Sequence, residues 1–65
     1  MFGVFTDSKN KFTVNLSKIL FFYATKTGTR LEMEDGTVLE VKESYGDVNH
    51  LLELHNALYI YENQK

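Results

Sequence analysis

The sequence predicts an α+β domain, a small antiparallel sheet of hairpins with one helix near the C-terminus followed by a short strand. Three observations predict it. Apolar and polar residues alternate with the period of a strand over 11–16 and again over 28–43. An Asp35-Gly36 pair divides the second stretch where a hairpin turn belongs. From Ser44 onward the spacing becomes helical, and antiparallel hairpins packed under a single helix make this class.

Taken in order, 2–5 reads as a short strand, Asp7-Ser8-Lys9-Asn10 as a polar turn, and 11–16 as the returning strand, with Phe12, Val14 and Leu16 alternating against Lys11, Thr13 and Asn15. The run Ile19–Ala24 is apolar on both faces when drawn as a strand. One face enters the core, and the other needs a helix or a second chain over it, because an open two-sided apolar strand is an aggregation site. In 28–43 the apolar pattern selects the register. A two-residue loop would set Leu31 opposite Glu40 and mix the faces. A three-residue loop, Glu34-Asp35-Gly36, pairs Leu31 with Leu39 and Thr29 with Val41 on one face, and Arg30 with Glu40 on the other. That loop needs Gly36 in the left-handed conformation.

Ser44 is placed to cap a helix over 45–55, with Asp47 at its positive end. Val48, Leu51, Leu52 and His55 share one side; Asp47, Asn49, His50 and Glu53 fall largely on the other. Residues 57–61 alternate again and read as a final strand, the alternative being a helix continued through Tyr59. The domain therefore spans 1–61, with 62–65 as a polar tail.

Size and composition narrow the function classes. A chain of 65 residues buries only about 60% of the surface it exposes when unfolded, which leaves room for one core. With no cysteine there is no disulfide framework, and two histidines cannot build the usual Cys/His zinc site. The longest apolar run is far short of the roughly 20 residues that span a bilayer, so no membrane insertion is expected. The first residues lack a basic region ahead of an apolar one, and a cytoplasmic location is expected. Net charge is −2 with both signs scattered, which argues against a nucleic-acid binder, whose basic stripe neutralises phosphates.

The residues that carry chemistry do not converge. His50 and His55 lie five positions apart, about 140° around a helix, which separates them as metal ligands. Glu32 and Glu34 share one face of a strand, but it is the solvated face beside Arg30, Glu40 and Lys42, where cross-strand charge pairing is the ordinary explanation. The four glycines are dispersed and form no phosphate-cradling loop. Tyr59 and Tyr61 share a face and could stack bases, yet no basic tracks flank them, and packing or a protein interface explains them better. No catalytic, cofactor-binding or metal site is therefore expected.

Phe12-Thr13-Val14-Asn15, Ile19, Thr29, Leu31, Gly36 and Val41-Lys42-Glu43-Ser44 together resemble the small flagellar FlbD/SwrD-like proteins over about the first fifty residues. The chain departs from that pattern at Ser8-Lys9-Asn10, at Thr37-Val38 and by one residue between Ile19 and Thr29. The resemblance implies a small, non-enzymatic accessory protein of bacterial motility. The same stretch is also similar to the front half of a LytTR DNA-binding domain, whose remaining strands would lie beyond Lys65.

The expectation is a regulatory or accessory protein whose partner is another protein, a second copy of this chain included. Its interaction residues are Phe21, Phe22, Tyr23, Tyr59 and Tyr61, with whichever of Phe21 and Phe22 points away from the core read first as a buried helix contact. The alternative is a phage- or mobile-element-type regulator that binds nucleic acid through Lys9, Lys11, Lys26 and Arg30 near the hairpin ends, or that inhibits a host transcription regulator.

Overall fold

The structure, a computed structural model, describes residues 1–55. Five strands and a helix follow one another: β1 (Phe2–Thr6), β2 (Lys11–Asn15), β3 (Ile19–Ala24), β4 (Thr29–Met33), β5 (Val38–Val41) and α1 (Tyr45–Leu54). The α+β class is the one the alternation and the helix cap predict. The strands form two antiparallel sheets instead of one, β1-β2 and β3-β4-β5. The expected final strand over 57–61 lies outside the described residues.

The β1-β2 turn closes because Asp7 Oδ1 accepts from the amides of Lys9 and Asn10 at 2.8 and 2.7 Å, a side chain standing in for a backbone turn. Thr6 pairs with Lys11 and Phe2 with Asn15. Leu16 leaves the strand: Leu16–Lys18 is a 3₁₀ turn, opened by Asn15 Oδ1, which accepts from Ser17 N at 3.2 Å. The strand expected over 11–16 thus stops one residue short. Asn15 competes for its own backbone, as short polar side chains do. Leu16 stays buried and still serves the core.

The β4-β5 hairpin takes the register that the apolar pattern selects, with Thr29 opposite Val41, Arg30 opposite Glu40 and Leu31 opposite Leu39. Its loop is Glu34-Asp35-Gly36. Gly36 has φ +92° and donates to Met33 O at 3.0 Å, while Met33 N donates to Thr37 O at 2.8 Å. Only glycine takes that φ without steric cost.

Helix α1 starts where Ser44 Oγ accepts from Asp47 N at 3.1 Å. Val48 and Leu52 are buried and Leu51 half-buried. His55 is the exposed C-cap and does not join the packed side as expected, because its backbone has already left the helix. The core consists of Phe5, Val14, Leu16, Leu31, Val41, Val48 and Leu52, drawn from both sheets, the 3₁₀ turn and the helix. The sheets meet at one corner: Lys42 N donates to Thr6 O at 2.7 Å, Thr6 N donates to Glu43 Oε1 at 3.0 Å, and the buried Thr29 hydroxyl donates to Glu43 O at 2.8 Å.

Candidate functional site: the outer face and edge of β3

Among the described residues, strand β3 lies at the edge of its sheet and pairs only with β4. Strict alternation would give it two equivalent apolar faces, but the ladder slips by one residue. Ile19 faces Met33 and Phe21 faces Glu32, so Leu20 is the extra residue of a bulge. The bulge turns Ile19 and Phe22 toward the core and leaves Leu20, Phe21 and Tyr23 outside at 63%, 50% and 40% exposure.

Phe22 is thereby removed from the free surface. Its ring packs on Tyr45 of α1, with centroids 5.0 Å apart, so the helix contact expected for the outward phenylalanine belongs to the inward one. Phe21 has no such cover among the described residues. Its ring lies 6.2 Å from that of Tyr23 in a stacked arrangement. Both tyrosines of the expected set at 59 and 61 lie outside the described residues. Leu20 is the site residue that sequence periodicity misses, because a bulge is defined by counting two residues against one on a neighbouring strand.

Beside the aromatic pair the sheet is polar but internally matched. Arg30 Nε donates to Glu40 Oε2 at 3.1 Å, and Arg30 Nη1 donates to the Tyr23 hydroxyl at 3.2 Å. The Arg30 guanidinium also sits 5.9 Å from the Tyr23 ring centroid, within the range of a cation–π contact. Hydrogen bonding to Glu40 first, and to Tyr23 second, raises the Arg30 pKa above its ordinary value. The Tyr23 hydroxyl reaches Glu32 Oε2 at 3.4 Å. This network holds Tyr23 in place and uses up the charge of Arg30.

The basic residues of the alternative site are not brought together as a set of four. Arg30 is engaged on the β4 face, whereas Lys9 lies in the β1-β2 turn and Lys26 in the turn after β3. Lys11 starts β2 near the carboxylate of Glu43. Because Thr6 meets Lys42, both turns sit toward the same end of the molecule, where Asp7 and Glu43 interrupt the lysines.

A groove of about 570 Å³ opens at the opposite end, between the 3₁₀ turn and the β4-β5 loop, with half-buried Met33 and Leu39 in its lining and Lys18 3.9 Å from Glu34 at its rim. Its polar lining is Asn15, Lys18, Glu34, Asp35 and Thr37, and Asp35 Oδ1 accepts from the Thr37 amide at 2.9 Å, a bond that closes the β4-β5 loop. No cluster of three or more metal-ligating side chains occurs among the described residues. Nor does any helix among them have the length and apolarity to cross a membrane. No protein-family model, no curated protein and no solved structure matches the chain.

Proposed function

We propose that this chain is a non-enzymatic regulatory or accessory protein that acts by binding another protein through the outer side of β3. The observation that carries the reading is the continuity of Leu20, Phe21 and Tyr23, three large side chains 63%, 50% and 40% exposed on an edge strand without a charged residue. Natural edge strands are ordinarily blunted by charges, and aromatic residues are over-represented where proteins meet. The likeness to the small flagellar proteins supports a cytoplasmic setting in bacterial motility.

The full chain and a Leu20→Ser/Phe21→Ser variant, immobilised side by side, test this against a soluble extract and against the pure chain itself. Protein retained by the native chain and lost by the equally folded variant is the expected result. Equal retention by both ends the reading. The competing nucleic-acid reading rests on Lys9, Lys11 and Lys26 lying toward one end, and it requires retardation of DNA or RNA that weakens steeply with salt. No retardation at low salt is expected.

A further inference from the structure

The backbone of β3 carries information that its side chains do not. Thr25 N donates to Gly28 O at 2.9 Å, and Met33 N donates to Thr37 O on the far side of β4. Together with the register of the two ladders, these bonds fix the direction of every peptide group in the strand. Phe21, Tyr23 and Thr25 direct their N–H and C=O groups at β4. Phe22 and Ala24 direct theirs to the open edge, which no strand among the described residues pairs. The edge is therefore a short template of donors and acceptors, next to exposed apolar side chains and free of charge from Ile19 to Ala24.

Resting on the reading of β3 as a protein-binding surface, we propose that the occupant of this edge is the β3 strand of a second copy, paired antiparallel about a two-fold axis at Tyr23. Pairing centred on Ala24 would set Phe22 opposite Lys26, in the turn beyond the strand, which leaves two antiparallel registers that satisfy the outward groups within β3. One sets Phe22 opposite its own counterpart and Ala24 opposite Leu20, the extra residue of the bulge, where the strand is irregular. The other sets Phe22 opposite Ala24 and Tyr23 opposite Tyr23, and it confines the new ladder to the regular part of the strand beyond the bulge. Backbone regularity thus selects the second register.

That register makes Tyr23 with Tyr23 a non-hydrogen-bonded pair, the closely spaced kind. It also extends the Phe21–Tyr23 stack of each copy into one aromatic row. The two sheets join into a single six-stranded sheet. The contact is small beside the roughly 800 Å² per partner of a standard interface, so the dimer is reversible and its population follows concentration.

Sedimentation of the full chain from micromolar to millimolar concentration reads the association, and three further measurements locate it. Amide exchange at Phe22 and Ala24 slows as concentration rises. Ala24→Pro removes an N–H that serves only the open edge, so the fold and far-UV spectrum persist while the dimer dissociation constant rises about tenfold or more. Tyr23→Cys, in a chain without other cysteines, gives a covalent dimer on oxidation, whereas Thr13→Cys on the exposed part of β2 does not.

A monomer at every concentration overturns the proposal, as it would if residues 56–65 or a foreign strand fill the edge. Association that survives Ala24→Pro, with no protection of Phe22 and Ala24 and no cross-link at Tyr23, also overturns it. If Leu20→Ser/Phe21→Ser abolishes that association, the binding face still stands and only the edge pairing fails. Should Ala24→Pro not fold, the exchange and cross-linking measurements decide alone.

Discussion

Glu43 does more in this molecule than its place in a short polar stretch suggests. Its carboxylate accepts the Thr6 amide and its carbonyl accepts the Thr29 hydroxyl, so one residue ties β1 to the β4-β5 hairpin. Partial burial pushes its pKa up, but the Thr6 amide and nearby Lys11 outweigh this and hold it below the ordinary value. A depressed folded pKa means stability that is present above the ordinary carboxylate range and is lost as pH falls through the folded value. Glu43→Gln is therefore expected to cost roughly 0.5–1 kcal/mol at neutral pH, and to cost less at pH 3, since native Glu43 takes up its own proton as pH falls through the folded value. Urea titrations of both proteins at the two pH values check this; an equal difference at both would show that the charge is irrelevant. Gly28 is a second residue set by its surroundings, because a Cβ there would run into the carbonyl of Val41. Gly28→Ala is expected to destabilise by about 1–3 kcal/mol in the same titration.

Turn chemistry and capping govern the elements. The β4-β5 loop was legible in advance because Leu31, Leu39, Thr29 and Val41 share a face in only one register, and that register demands three loop residues ending in glycine. Gly36→Ala keeps the side chains of the hairpin and forces a left-handed alanine, at an expected cost of about 1–2 kcal/mol. Thermal unfolding measures it, and an unchanged midpoint would contradict the strained turn. The helix start was equally legible, since Ser44 and Asp47 form a local device needing no distant partner. Two features were not. Leu16 turns into a 3₁₀ helix because Asn15 captures the Ser17 amide, and β3 bulges at Leu20 because β4 supplies one residue where β3 supplies two. Alternation in sequence describes a strand as if it were regular, so neither departure registers in it.

At the scale of the whole molecule, the core depends on few residues. Leu31 is fully buried at the centre of the three-stranded sheet, against neighbours from the other sheet and the helix. Leu31→Ala is expected to cost about 2–5 kcal/mol, most of what a domain this small possesses, and circular dichroism should find it largely unfolded at 37 °C. Phe21, although larger, faces out; Phe21→Ser should change stability by less than about 1 kcal/mol while removing association. That contrast separates residues that hold the fold from those left over for a partner.

The order of local patterns along the chain was sufficient for the class, the β4-β5 register, the helix cap and the burial of Val14, Leu16, Leu31, Val41, Val48 and Leu52. Each depends on side-chain periodicity or on groups a few positions apart. Which phenylalanine of β3 faces out, how the strands divide into two sheets, and how Glu43 joins them were decided only in three dimensions. These depend on contacts between segments far apart in sequence, and a bulge or a long-range hydrogen bond leaves no periodic trace in either segment by itself.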